Sequence, residues 1–135
     1  MPILHAGFAG DAAKAQDALV ERAAQFDADL VLMMTIEDEV TLATVDRIRR
    51  DRKVVNWFAD DTWRFPAYSR HRAPHYDLVV TTSRSAMDRY RSMPGVRAIF
   101  SPWGYDPDLF HPVDIEPTID VGFVGQRYGR RGAAI

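Results

Sequence analysis

The chain has 135 residues and a formal net charge of -2, from 17 basic and 19 acidic side chains. Such a balance excludes the broad positive field that holds a nucleic-acid backbone, so we expect no nucleic-acid partner. The absence of cysteine excludes disulfides and thiolate metal sites.

No segment of the sequence has the features of a membrane or export signal. The longest apolar run, residues 30–34, is too short to span a bilayer. The first eight residues lack the charged leader and the long apolar core of a signal peptide. We therefore expect a cytoplasmic protein with no membrane span.

In the first half of the chain, segments with the apolar pattern of a helix alternate with segments typical of a strand. Asp11 can cap a helix over residues 12–26, and residues 29–34, an aspartate followed by five apolar residues, are typical of a buried strand. Thr41 can cap a second helix, and residues 53–58 form the next strand. We interpret the local basic cluster as the solvated end of that second helix, where cations suit the helix dipole: Arg47, Arg49, Arg50, Arg52 and Lys53.

The second half continues the alternation. Residues 63–76 are mixed and proline-containing, and predict one short helix. Residues 77–81 and 96–101 predict strands, and Ser83 caps a helix over residues 84–93 between them. Strands that alternate with helices predict an α/β fold, a Rossmann-like mostly parallel sheet with helices on both faces.

The chain changes character after residue 101. Residues 102–118 are proline-rich, acidic and aromatic, as in a linker or an ordered loop. Residues 119–125 predict a new strand running into a glycine turn, with only ten residues after it. We therefore expect a Rossmann-like domain at 1–111, followed at 112–135 by a linker and the start of a truncated second domain. Such a tail should pack poorly or take contacts from a neighbouring chain, which predicts a homo-oligomer formed through it.

Polar residues follow the predicted strands at the end where open α/β sheets bind ligands. Adjacent carboxylates repel, so one of the pair Asp60 and Asp61 could take up a proton near neutrality, as a general acid or base requires. The alternative is a loop whose acids face water or cap the next helix. The candidate substrate-binding residues at these strand ends are Thr62, Trp63, Thr82 and Ser83.

Two other kinds of site are disfavoured by spacing. The histidines are scattered, Pro74 separates His71 from His75, and two adjacent carboxylates supply too few ligands, so we predict no metal site. Ser83 and Ser85 lack the G-x-S-x-G elbow of a hydrolase nucleophile.

The last segment is basic and glycine-rich and follows a predicted strand. Backbone donors and guanidinium groups together suit a diphosphate, although the standard nucleotide motifs are missing. A frayed and solvated C-terminus is the alternative interpretation. The candidate donor-phosphate residues are Gly125, Arg127, Arg130 and Arg131.

Three stretches together resemble the GT-B type glycosyltransferases. Residues 103–112, WGYDPDLFHP, look like the G-V-D-x-x-x-F-x-P stretch between the two domains of those enzymes, and residues 123–125 match the F-V-G that follows it. Residues 77–83 resemble their D-x-V-x-T-x-S element. The closest likeness is to the CgeB-like spore-maturation family, in which a strand ending in an aromatic and acidic loop, here residues 57–61, precedes that element.

The resemblance implies sugar transfer from a nucleotide-sugar donor to an unknown acceptor, usually without a bound metal or other cofactor. The acceptor would lie on the first domain, with Trp103 and Gly104 among its contacts, and the donor mainly on the second. Arg130 or Arg127 would match the donor-phosphate arginine, and Asp60 or Asp61 the acceptor-side acid.

Two departures from the family lead us to expect no independent catalysis. The first strand and its glycine-rich turn are at best vestigial in residues 1–10, and the donor domain after Ile135 is absent. A non-catalytic Rossmann-like binding module is the alternative, because a fold does not fix a function.

Overall fold

The structure is a computed structural model that describes residues 12–122, 124 and 125. Its four strands form one sheet in the order β1-β2-β3-β4, and every neighbouring pair is parallel. The strands are β1 Leu30–Met33, β2 Lys53–Phe58, β3 Leu78–Thr81 and β4 Ala98–Phe100. The helices are α1 Ala12–Gln25, α2 Leu42–Arg49, α3 Asp61–Arg64, α4 Arg70–Arg72 and α5 Arg84–Arg91. The predicted α/β class, with a parallel sheet flanked by helices, is confirmed.

One face of the sheet carries the hydrophobic core. Successive side chains of a strand point to opposite faces, so Val54 and Phe58 of β2 share a face with Val79 of β3, which pairs with Asn56. These side chains are almost fully buried. Helix side chains complete the same cluster: Val45 and Ile48 of α2, Phe65, Ala73 and Tyr76 after α3, Ala86 and Tyr90 of α5, and the partly buried Leu19, Val20 and Ala23 of α1.

The opposite face, which we call the open face, is less covered. Val55 and Val80 at its centre are buried, whereas Leu30 and Leu32 on β1 and Ile99 on β4 are exposed. The sequence predicted helices on both faces of the sheet. The described helices send their buried side chains to the core-bearing face, as right-handed crossovers between sequential strands require.

Residues 61–75 form one continuous helical run rather than the single short helix expected from the sequence. A π-helical turn, Phe65–Ser69, follows α3, and a 3-10 turn, Ala73–His75, follows α4. Pro66 and Pro74 each lie in the first turn of one of these non-α segments, where the change of hydrogen-bonding pattern accommodates a residue that has no N–H. None of the described helices is long and apolar enough to cross a membrane.

The chain divides into two compact units, with the division after Trp103. The described residues of the second unit, 104–122, 124 and 125, contain no helix or strand. The strand expected over residues 119–125 is not formed in their described part. A strand needs a neighbour to bond its backbone, and none pairs with these residues.

Candidate functional site

The carboxyl ends of β2 and β3 lie side by side, because Phe58 pairs with Thr81 at the last position of both strands. Ala59 and Asp60 follow β2, and Thr82 and Ser83 follow β3. The Thr82 hydroxyl donates to the Ala59 carbonyl at 2.5 Å, which ties the two strand ends together. The structure therefore brings the predicted residues after β2 close to those after β3.

Asp60 and Asp61 lie in different environments although they are adjacent. Asp60 is exposed at the start of α3, where its carbonyl accepts hydrogen bonds from the N–H groups of Trp63 and Arg64 at 3.3 and 3.0 Å. Asp61 is 0% exposed. Only the Asp60 carboxylate is placed to meet a molecule arriving from solvent.

The buried Asp61 carboxylate is held by a tyrosine of α5. The Tyr90 hydroxyl on α5 donates to Asp61 Oδ2 at 2.7 Å, and Asp61 Oδ1 has no partner among the described residues. Burial and the neighbouring Asp61 raise the pKa of Tyr90 far above its usual range, so its proton stays in place. The pair fastens the first turn of α3 to α5. Tyr90 stands four residues after Ala86, and this spacing puts both on the buried face of α5.

Three hydroxyl groups after the ends of β2 and β3 form a hydrogen-bonded chain. Thr62 Oγ1 donates to Ser83 Oγ at 3.2 Å, and Ser83 Oγ is 2.9 Å from Ser85 Oγ. Ser83 occupies the predicted cap position of α5, yet its side chain makes no capping hydrogen bond. Because Thr62 and Ser85 are exposed, the chain presents hydroxyl groups that can both donate and accept.

Exposed aromatic rings lie next to this edge of the sheet. Trp63, in the first turn of α3, is 69% exposed, and the Arg64 guanidinium lies 5.6 Å from its ring centroid. Trp103 stacks on Trp57, with ring centroids 6.0 Å apart and an interplanar angle of 23°. Two indole faces are thus available for stacking on a flat or apolar ligand surface.

A rigid loop borders the same edge at the end of β1. The buried Arg72 guanidinium pairs with Asp38 at 2.8 Å and donates to the Val40 carbonyl. The Tyr68 hydroxyl donates to the Glu37 carbonyl. The Glu39 carboxylate accepts from two backbone N–H groups of the loop. The contacts of Arg72 and Tyr68 did not follow from local sequence patterns, because both residues are more than 30 positions from their partners.

The remaining predicted site residues fall in the second unit. Gly104 and Gly125 are exposed there. Arg127, Arg130 and Arg131 lie outside the described residues. Within residues 12–122, 124 and 125, no three His, Asp or Glu side chains stand close enough together to hold a metal ion.

The basic cluster lies at the opposite, amino end of the strands. It borders a depression of about 330 Å³ that is lined by four cations and three carboxylates: Arg49, Arg50, Arg52, Lys53, Asp27, Asp29 and Asp51, with Ala28. Arg49 also pairs with Asp77 at 3.3 Å. The mixed charge favours the solvated helix end predicted from the sequence over an anion site.

Comparison of the chain with protein-family models, with curated proteins and with solved structures gave no significant match. The resemblance to CgeB-like glycosyltransferases therefore remains a prediction that depends on the motifs in the sequence.

Proposed function

We propose that the chain is the acceptor-side part of a GT-B type glycosyltransferase, and that it binds a hydroxyl-bearing acceptor at the carboxyl edge of β2 and β3. One observation carries the proposal. The exposed Asp60 and the Thr62–Ser83–Ser85 hydroxyl chain both follow the carboxyl ends of the paired strands β2 and β3, at the end of a parallel sheet where such folds bind ligands.

In this proposal Asp60 is the general base. Its carboxylate takes the proton of the attacking acceptor hydroxyl while the acceptor oxygen forms a bond to the anomeric carbon of the donor sugar. The bond from that carbon to the diphosphate oxygen breaks, and the nucleoside diphosphate leaves with the electron pair. Thr62 and Ser83 hydrogen-bond the acceptor, and the exposed Trp63 ring stacks against it.

Asp61 has a supporting role in the same proposal. Its hydrogen bond from Tyr90 fixes the first turn of α3, and that turn carries Asp60, Thr62 and Trp63. The donor diphosphate is assigned to Gly125, Arg127, Arg130 and Arg131, as the resemblance implies, and the donor is a nucleotide sugar.

A non-catalytic binding module is the second candidate function. The burial of Asp61 favours it, because only one carboxylate of the pair is left to contact a ligand. The two functions differ in what Asp60→Asn does. The substitution abolishes transfer by an enzyme completed with a donor domain, whereas a binding module has no transfer activity to lose.

Titration of the 135-residue chain with UDP-, GDP- and TDP-sugars, by calorimetry or ligand-observed NMR, tests the proposal that the chain is only the acceptor-side part of the enzyme. An enzyme that holds both reactants in place lowers the activation barrier of such a reaction by about 7–11 kcal/mol. Exposed arginine–phosphate pairs contribute only roughly 0–1 kcal/mol each. We therefore expect binding that is millimolar or absent and is weakened by salt. Tight binding would mean that these residues form the complete donor site, and it would overturn the proposal that they are only the acceptor-side part.

A further inference from the structure

Residues 113–121, which we call the alternating segment, have the pattern of a strand without a sheet. The odd-numbered residues Val113, Ile115, Ile119 and Val121 are apolar, and the even-numbered ones are polar. This period of two is that of a strand with one face buried. In the single chain these four apolar side chains are nevertheless 61% to 89% exposed.

The backbone of the alternating segment has one free edge. Pro117 has no N–H, and the Ile115 N–H already donates to the Val113 carbonyl at 3.0 Å, so the odd-numbered edge is a poor strand partner. No hydrogen bond between described residues uses the N–H or carbonyl of the four even-numbered residues: Asp114, Glu116, Thr118 and Asp120. These groups can pair with the bare edge of a sheet.

The sheet itself has such an edge at β4. The Arg97 carbonyl accepts from Val79 N–H, and Ser101 N–H donates to the Thr81 carbonyl, so alternate residues from 97 to 101 face β3. Ala98 and Phe100 therefore direct their backbone groups away from the sheet. Nothing among the described strands pairs with them.

Charge favours β4 over the other bare edge, β1. Between residues 106 and 120 the chain carries five acidic residues and no lysine or arginine. The exposed Arg97 precedes β4, and the Arg84 guanidinium lies 4.2 Å from the ring centroid of Phe100. The surroundings of β1 have mixed charge instead, because Asp29 and Glu37 flank the strand while Arg49, Arg50, Arg52 and Lys53 lie near Asp29 at its amino end.

We propose that the alternating segment of one copy adds as a strand to β4 of a second copy, through its even-numbered edge, to form a reciprocal dimer. A two-fold axis makes the contact twice. The exposed Ile99 and the apolar residues of the segment supply the hydrophobic component. Strand addition of this kind derives affinity from main-chain hydrogen bonds and specificity from alternate side chains.

Sedimentation of the whole chain from about 1 to about 500 µM tests the proposal, since it spans the affinities expected for a small interface. We expect a concentration-dependent dimer that weakens as salt is added. Thr118→Pro removes an N–H from the pairing edge and should raise the dissociation constant at least about tenfold, or roughly 1.4 kcal/mol. Thr118→Ala is the matched control and should leave it unchanged.

The receiving edge is tested separately. Ala98→Pro removes an outward N–H without breaking the ladder to β3, and should also yield monomers. If that variant does not fold, Arg97→Glu reverses the charge beside β4 and should weaken the dimer. At a concentration where the parent chain is monomeric, circular dichroism should show an unchanged unfolding curve for Thr118→Pro, because Thr118 lies outside the sheet of the single chain.

Mixing the two proline variants gives the sharpest outcome. Thr118→Pro retains an intact β4 and Ala98→Pro an intact alternating segment, so the mixture should form a heterodimer although each variant alone is monomeric. A chain that stays monomeric over the whole concentration range would overturn the proposal. This includes a monomer whose residues 114–120 are protected from hydrogen exchange, because the segment would then pair within its own chain. A dimer that Thr118→Pro leaves intact would overturn it too.

Discussion

The start of α3 places two adjacent aspartates in different environments. Asp60 precedes α3 and remains in solvent, whereas Asp61 begins the helix and points to the Tyr90 hydroxyl of α5. Adjacency in the sequence suggests that the two carboxylates form one repelling pair. The fold separates their environments, and it gives Asp61 a neutral hydrogen-bond donor that carries no positive charge.

Loss of the buried contact should therefore cost stability. Asp61→Ala leaves the Tyr90 hydroxyl buried without its acceptor, and we expect a loss of about 1–3 kcal/mol in the free energy of unfolding. Tyr90→Phe should cost a similar amount, because Asp61 then has no partner for either oxygen. Asp60→Ala, at an exposed position, should remain within roughly 0.5 kcal/mol of the parent chain. Urea unfolding measures all three, and equal losses at positions 60 and 61 would contradict these assignments.

Asp77 gives the stability a defined pH dependence. Burial by itself raises the pKa of Asp77, but the hydrogen bond from Val54 N–H and the charges of Arg49 and Lys53 outweigh it and lower the pKa below 3.8. A lowered pKa stabilises the fold above the unfolded value, and this stability is lost as the pH falls through the folded one.

Asp77→Asn should therefore be less stable than the parent chain at pH 7. The difference between them should shrink as the pH falls below about 3.8. Unfolding curves at a series of pH values measure it. A difference that stays constant down to pH about 2 would show that the Asp77 charge does not stabilise the fold.

At the level of single elements, the two predicted caps differ in their side chains. Thr41 accepts from Thr44 N–H at 3.2 Å, as a capping residue does. Ser83 occupies the same position on α5 but turns its hydroxyl to Thr62 and Ser85. One cap stabilises its helix, and the other hydroxyl is available to the candidate site.

Thr41→Ala should lower the free energy of unfolding by about 1 kcal/mol, the usual effect of removing a capping side chain. Ser83→Ala should cost less, since no capping bond is lost. Chemical denaturation of both variants gives the comparison. A larger loss at Ser83 than at Thr41 would mean that the Ser83 hydroxyl is primarily structural.

Local patterns predicted the elements whose stabilising contacts are close in sequence. Residues 53–58 form a strand with the predicted bounds because their apolar run is buried in the middle of the sheet. The helical run over residues 61–75 is longer than the one short helix that was predicted, because π and 3-10 turns accommodate two prolines that normally end a helix. The Tyr90–Asp61 bond joins residues 29 apart, and no periodicity indicates such a contact.

For the molecule as a whole, the order of the strands decides where the chemistry lies. Sequential parallel strands place the ends of β2 and β3 side by side and bring their loops to one edge. The same order directs the helices of the described residues to one face and leaves Leu30, Leu32 and Ile99 exposed on the other.

The most direct test of the proposed acceptor site is a residue-resolved NMR titration of the labelled chain with a panel of mono- and disaccharides at high millimolar concentration. We expect amide shifts confined to residues 60–63 and 82–85, reduced in Asp60→Asn and in Ser83→Ala. Ser92→Ala, at the C-terminal end of α5, is the control and should retain them. Shifts confined to the depression around Arg49 and Lys53 at the amino end of the strands, or none from any saccharide, would contradict an acceptor site at this edge.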